Sequence, residues 1–102
     1  MMERRRVVVT GLGAINAIGH NVEETWKSIK DGVCGIAEIT NYDKELTRVK
    51  IAGEVKDFNP ADYLDKKAIR KMDRFTQFGV IAAKEAFKDS GLKIEDINAD
   101  RF

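Results

Sequence analysis

Four basic residues stand at the spacing that places side chains on one face of a helix: Lys67, Arg70, Lys71 and Arg74. Residues three, four and seven apart lie on the same side of an α-helix, so a continuous helix would carry them as one cationic stripe. Such a stripe attracts and orients an acidic macromolecular partner. A charged face that meets only water is the simpler interpretation, and it stays open at this point. Aromatic residues are poorly interleaved with these cations, which disfavours nucleic-acid binding.

Cys34 and His20 are the single cysteine and the single histidine of the sequence. A nucleophilic cysteine needs a neighbouring base or a helix N-terminus, whereas Cys34 follows the predicted end of a helix and His20 precedes its start. We interpret Cys34 as a turn residue and His20 as a surface or structural residue. One cysteine allows neither an internal disulfide nor a thiolate zinc cluster, and no metal site is predicted.

Two glycines, Gly11 and Gly13, follow an apolar segment in the manner of a dinucleotide-binding loop. That fingerprint needs a third glycine three residues after the second, and Asn16 stands at that position. We interpret the pair as a tight turn beside a buried strand, and we predict no cofactor. A nucleotide-binding α/β fragment is the least favoured alternative.

The composition is that of one small domain, and its nearly balanced charges give no strong overall electrostatic field. The chain has 102 residues, of which 43% are hydrophobic, and 18 basic against 17 acidic residues give a net charge of +1. This charge gives no general attraction to nucleic acid or to an anionic membrane. No apolar stretch approaches the roughly 20 residues of a membrane span, and no signal peptide is recognisable. We therefore expect a soluble, cytoplasmic protein.

The strands that must support these residues are predicted from hydrophobic patterning. Arg5–Thr10 contains three consecutive valines, which predict a strand buried on both faces. Residues 48–56 alternate between apolar and polar side chains, which predicts a half-buried strand that is antiparallel or at an edge. Residues 33–46 carry no clear pattern and are predicted to be loops.

The helices are predicted from caps and from periodicity. Asn21 is expected to cap a helix that ends at Gly32, and Asn59-Pro60 to start a short helix that runs through Leu64. Residues 66–90 read as helical, either as one continuous helix or, as we favour, as two helices with Asp73 as the cap of the second; Gly91 is the stop. Residues 78–87 are apolar nearly all round, which is typical of a helix buried inside a large protein.

A strand buried on both faces and an apolar helix both need partners, yet the sequence offers only two candidate strands. The chain therefore reads as the front of a larger α/β protein. Alone, it is expected to be poorly stable and to associate through its uncovered apolar faces.

Taken together, these segments resemble the N-terminus of the β-ketoacyl-acyl carrier protein synthases, most closely the elongating type, synthase II. The resemblance runs nearly end to end and is carried by RRVVVTGLGAI (5–15), VEETW (22–26), GVCGI (32–36), IAGEVKDFNP (51–60) and RKMDRFTQFGVIAAKEAFKDSGL (70–92). Each segment is weak evidence alone, whereas the ordered set is specific.

The resemblance implies a thiolase-like α/β/α/β/α sandwich of two similar halves, usually a cytoplasmic homodimer. Residues 1–102 would be the N-terminal segment of the first half. The implied reaction is a decarboxylative Claisen condensation between an acyl-enzyme thioester and malonyl-acyl carrier protein. The family's nucleophilic cysteine and two histidines lie further downstream, so no catalytic residue is expected here, and the chain as written is expected to be inactive.

One functional element carries over by resemblance. In synthase II relatives, basic residues around the RKMD segment help to dock the acidic acyl carrier protein, and they match Lys67, Arg70 and Lys71. A non-catalytic module that binds the carrier protein, or a cysteine-less partner subunit of a ketosynthase heterodimer, is the alternative function.

Overall fold

The computed structural model describes residues 3–101, which form three α-helices, one two-stranded sheet and several short 3-10 helices. The helices are α1 (Val22–Lys30), α2 (Lys66–Arg70) and α3 (Arg74–Ser90), and the strands are β1 (Ile36–Glu38) and β2 (Ile51–Gly53). The 3-10 helices are Lys44–Leu46, Pro60–Asp62, Ile94–Asp96 and Ala99–Arg101. The short helix predicted after Asn59 is thus confirmed as a single 3-10 turn.

Helix α1 begins and ends where its capping residues predict. The Asn21 side chain accepts a hydrogen bond from the amide of Glu24 at 2.8 Å, which satisfies one of the free amides of the first turn. At the other end Gly32 has φ 68°, in the left-handed region, and the amide of Val33 donates to the carbonyl of Ser28 at 2.9 Å. This reversal of the chain closes the helix.

The predicted division between α2 and α3 is confirmed. The amides of Lys71 and Met72 donate to the carbonyls of Ala68 and Ile69, three residues back, so the helix tightens and ends. Asp73 is extended, with φ −69° and ψ 162°, and its side chain makes no capping hydrogen bond. The change of backbone direction, not a side-chain cap, therefore separates the two helices.

The strand predicted at Arg5–Thr10 is wrong for the part of the chain that the structure describes. Residues 5–10 pair with no other strand, and Val7 and Val9 are exposed by 90% and 79%. A strand is held by hydrogen bonds to a neighbouring strand, and none among residues 3–101 lies beside this segment. The apolar run marks a surface that needs cover, but it cannot form a ladder alone.

The two-stranded sheet corrects the loop predicted for residues 33–46. Strand β1 lies inside that range and pairs antiparallel with β2, with Ile36 opposite Gly53 and Ala37 opposite Ala52. The antiparallel pairing of β2 was predicted, but the strand is three residues long instead of nine. A three-residue strand is too short to show the alternation on which sequence patterns depend.

The Gly11–Gly13 segment lies directly against the backbone of α3. A Cβ atom on Gly13 would overlap the carbonyl oxygen of Ala82, and one on Gly11 would stand 2.7 Å from the amide nitrogen of Ser90. The glycines are therefore required because two backbones approach closely. Their role is to pack the segment on a helix, which differs from both a phosphate loop and the tight turn that the sequence indicated.

Two carboxylates of α3 hold the same segment by its amides. The Leu12 amide donates to Asp89 at 3.0 Å, and the Ala14 amide donates to Glu85 at 2.9 Å. Alternate residues of an extended chain repeat every ~6.7 Å, close to the ~6 Å between helix residues four apart. Glu85 also accepts from the Val22 amide at 3.1 Å, so it joins the start of α1 to α3.

Few side chains are buried among the described residues. The buried apolar side chains are Ile39, Leu64 and Ile81. The radius of gyration is 17.7 Å, against about 13 Å for a compact domain of this length. In α3 only Gln77 and Ile81 are buried by the described part of the chain, so the burial of this helix inside a larger protein stays a prediction.

We predict that Gly13→Ala lowers the free energy of unfolding by about 1–3 kcal/mol, because the added methyl group must displace backbone atoms of α3. Gly79→Ala is the matched control: its Cβ meets nothing within 4 Å, and in a helix interior alanine is favoured over glycine by about 1 kcal/mol. The midpoints of thermal unfolding should move in opposite directions. Equal midpoints for the two variants would contradict the close approach.

The chain on its own is predicted to self-associate through its exposed apolar side chains. Sedimentation velocity should show concentration-dependent oligomers, and a dye that reports apolar surface should bind. The exposed valines of residues 7–9 and Phe75, which is 74% exposed, supply that surface. A monomer that melts cooperatively at every concentration tested would contradict this prediction.

Candidate functional site

The three basic residues singled out by the sequence lie together on one short element. Lys67 and Arg70 belong to α2 and Lys71 caps its C-terminus, and all three are exposed. Ala68 and Ile69 between them are half-buried, so the apolar side of the helix faces the chain and the cations face water. We call Lys67, Arg70 and Lys71 the α2 patch.

The charge of the α2 patch is not neutralised within the described part of the chain. No salt bridge to its three cations is found among the side chains that the structure describes. The segment from Asp65 to Arg74 carries five basic and two acidic residues. Unpaired cations on an exposed helix keep their field available to an acidic partner.

Arg74, the fourth member of the predicted stripe, lies elsewhere. Its guanidinium carbon is 5.2 Å from the ring centre of Phe58 and 5.5 Å from that of Phe78, within the range of a cation–π contact. The stripe of four assumed one continuous helix, and the break at residues 71–73 removes Arg74 from it. The expected stripe is therefore corrected to three cations on α2 and one cation held by aromatic rings.

Phe58 is the centre of an aromatic cluster next to the α2 patch. Its ring stacks on Tyr63 with centroids 6.1 Å apart and meets the edge of Phe78 at 4.9 Å. The His20 ring lies 6.4 Å from both Phe58 and Tyr63. Three separate segments, the loop before α1, residues 58–63 and α3, thus meet at one ring.

His20 is a structural member of this cluster. Its Nε2 donates to the carbonyl of Lys56, which only accepts, so in the neutral ring Nδ1 accepts from the Tyr63 hydroxyl at 3.3 Å. Burial, together with the nearby carboxylates of Glu24 and Asp62, raises the pKa of Tyr63, which keeps the phenol a donor. With both ring nitrogens engaged, His20 is a structural residue.

Glu54 binds the two residues Thr40 and Asn41, which follow β1. Its carboxylate accepts from the Thr40 amide at 2.9 Å, the Thr40 hydroxyl at 3.0 Å and the Asn41 amide at 2.9 Å. The backbone hydrogen bond from Thr40 is the main cause that lowers the pKa of Glu54, and the charge of Arg74 lowers it further. The carboxylate therefore stays ionised and holds residues 40 and 41 close to residue 54.

Cys34 lies in the turn between α1 and β1 and is exposed. Its sulfur is 3.8 Å from the carbonyl oxygen of Ile36, and it follows the C-terminal end of α1, which does not favour a thiolate. Across residues 3–101 no group of three or more potential ligands for a metal ion is found. No described helix is both long enough and apolar enough to cross a membrane.

The roles of Phe58, Tyr63 and Arg74 were not apparent from the sequence. Aromatic residues on either side of Asn59-Pro60 were the available signal, because a single turn between them brings both rings to one side. The partner ring of Phe78 is distant in sequence, and no local pattern indicates such a contact.

Comparison with known families matches residues 4–102 to the family described as "Beta-ketoacyl synthase, N-terminal domain". The 3-oxoacyl-[acyl-carrier-protein] synthase 2 of Staphylococcus aureus (strain N315) is 50% identical over 101 residues, which are 99% of this chain and 24% of the relative. The synthase 2 of Coxiella burnetii (strain RSA 493 / Nine Mile phase I) is 46% identical over 100 residues, 98% of this chain and 24% of the relative. The chain thus spans about a quarter of the length of the curated relatives it matches.

Two solved structures are similar in fold and in sequence. One, described as the ishigamide ketosynthase/chain length factor, matches with a TM-score of 0.81 and 38% identity, over 94% of this chain and 24% of that one. The other is a type II PKS acyl-carrier protein in complex with its ketosynthase, with a TM-score of 0.70 and 30% identity, over 94% of this chain and 25% of that one.

Proposed function

The chain belongs to the β-ketoacyl synthase family, as the N-terminal domain of that family, and from this premise we propose that it forms part of the carrier-protein docking surface of an elongating β-ketoacyl-acyl carrier protein synthase. The observation that carries the proposal is the α2 patch: Lys67, Arg70 and Lys71 are exposed together on one short element without a salt bridge among the described side chains.

The fold is that of the N-terminal part of a ketosynthase, a thiolase-like α/β protein. In the proposed enzyme, residues 1–102 are the first segment of the first thiolase-like half. The remaining three quarters of the polypeptide would cover the valines of residues 7–9 and the open faces of α3. Cover by the rest of the polypeptide would explain why these apolar side chains are exposed here. The contact of Gly11 and Gly13 with α3 would stay as it is.

The proposed reaction is a decarboxylative Claisen condensation. An acyl group is held as a thioester on a cysteine of the enzyme, and malonyl-carrier protein loses carbon dioxide to give a carbanion. The carbanion attacks the thioester carbonyl, a carbon–carbon bond forms, and the cysteine thiolate leaves. Both substrates are delivered on an acidic carrier protein, so a cationic docking surface serves the acyl transfer and the condensation alike.

Electrostatic docking agrees with the position of the α2 patch. Long-range attraction raises the encounter rate and orients the partner before close contact. A ketosynthase of similar fold has been solved in complex with an acyl-carrier protein, which supports a carrier protein as the partner here. The proposal includes a homodimeric, cytoplasmic enzyme, as is usual in the family that the sequence resembles.

A second candidate is a partner subunit without a catalytic cysteine. One similar structure is described as a ketosynthase/chain length factor. This fold therefore also occurs in a protein whose description names two different roles. The curated relatives at 46–50% identity are named as synthases, which favours the enzyme. A nucleophilic cysteine in the rest of the polypeptide distinguishes the two candidates.

The docking proposal is tested in a chimera, in which this chain replaces the matching segment of the Staphylococcus aureus synthase 2. Reversal of the three charges, Lys67→Glu, Arg70→Glu and Lys71→Glu, is expected to raise KM for the acyl-carrier substrate about tenfold or more at low salt. The increase should shrink as ionic strength rises, because salt screens exposed charges.

The matched control reverses three exposed basic residues outside both the α2 patch and α3: Lys27, Arg48 and Lys93. It changes the net charge by the same amount and should leave KM for the acyl-carrier substrate near that of the unmodified chimera. An unchanged KM after reversal of the α2 patch, or an equal increase in the control, would contradict docking at α2.

In the same chimera, Cys34→Ser is predicted to retain condensation at the rate of the unmodified protein. Cys34 is exposed at a helix C-terminus and has no neighbouring base among the residues described. Mass spectrometry after incubation with an acyl-carrier substrate should show the same acyl adduct in both proteins. Loss of that adduct in Cys34→Ser would place the nucleophile in this segment and overturn the assignment.

A further inference from the structure

The segment that carries the α2 patch leaves and rejoins the rest of the chain at one aromatic ring. Tyr63, just before the segment, stacks on Phe58 with an interplanar angle of 17°. Arg74, just after it, places its guanidinium carbon 5.2 Å from the centre of the same ring. Residues 64–73 are therefore an excursion whose two ends are fastened to Phe58.

The ring that closes this excursion is itself anchored. Phe58 meets Phe78 of α3 edge to face at 4.9 Å, and Arg74 also lies over Phe78 at 5.5 Å. Leu64, at the start of the excursion, is only 7% exposed. These contacts with Phe78 therefore fix the position of the excursion relative to α3, the longest element of the described chain.

Helix α2 packs on the chain through the half-buried side chains of Ala68 and Ile69, but it is too short to hold its position alone. It is five residues long, and the Asp65 side chain makes no capping hydrogen bond. An isolated helix shorter than about 12 residues is marginal in water. The direction in which its cations point is consequently set by this packing together with the contacts at the ends of the excursion.

We propose that Phe58 and Arg74 are positioning residues that hold the α2 patch in place for docking; this inference rests on the proposed function. Arg74 suits the role because its planar guanidinium lies over both rings while Glu54 lies close enough for their charges to interact. Lysine offers a compact charge without that flat surface. Arg74 therefore contributes to docking through the placement of α2, not as a fourth docking charge.

The inference is tested in the chimera with Phe58→Leu, Arg74→Gln and Arg74→Lys. KM for the acyl-carrier substrate should rise about 3- to 10-fold in Phe58→Leu and Arg74→Gln, in line with the strength of cation–π contacts. Arg74→Lys should recover part of the loss. Turnover of a small-molecule acyl thioester, which has no carrier protein to dock, should stay the same in all three variants.

Combination with the reversed α2 patch gives a second readout. Once the patch is reversed, Phe58→Leu and Arg74→Gln should have no further effect on KM, since they act through the same cations. A full additional increase would mean that Arg74 contacts the partner directly and would overturn the inference. A normal KM in Phe58→Leu together with a raised KM in Arg74→Gln would also overturn the inference.

Different results would contradict docking at α2 and the positioning role of Phe58 and Arg74. If reversal of the α2 patch itself leaves KM unchanged, docking at α2 is wrong. If that reversal raises KM but Phe58→Leu and Arg74→Gln do not, docking stands and the positioning role is wrong. If either variant loses turnover of the small thioester together with that of the carrier substrate, its role is general stability, and the positioning role is again wrong. Arg74 is exposed, so Arg74→Gln remains informative if Phe58→Leu does not fold.

Discussion

The close contact between the Gly11–Gly13 segment and the backbone of α3 is the constraint on which the rest of the structure depends. No side chain fits between the two backbones, and the carboxylates of Glu85 and Asp89 hold the segment by its amides. Glu85 also accepts from the amide of Val22. One helix thus fixes the path of the N-terminal segment and the start of α1, although few apolar side chains are buried.

The opposite end of α3 organises the candidate docking surface. Phe78 packs against Phe58, and Tyr63 and Arg74 both contact the Phe58 ring. The excursion between those two residues presents the three cations of the α2 patch. Because the amide contacts and the aromatic cluster share α3, this helix connects the N-terminal segment to the surface proposed to meet the carrier protein.

Features that depend on neighbouring residues were predictable from the sequence, whereas contacts between distant segments were not. The cap at Asn21 and the glycine at Gly32 act within a few residues, so both ends of α1 were predicted. The valines of residues 7–9 show that a surface needs cover, but a strand also requires a partner that the described chain lacks. Arg74 was assigned to the cationic stripe because its attraction to Phe58, sixteen residues earlier, leaves no periodic signal.

Docking of the carrier protein on α2 can be measured by hydrogen–deuterium exchange of the chimera with and without an acyl carrier protein. Binding at α2 should slow exchange within residues 64–75 and leave exchange across α1 unchanged. Slower exchange across α1, with residues 64–75 unaffected, would contradict it.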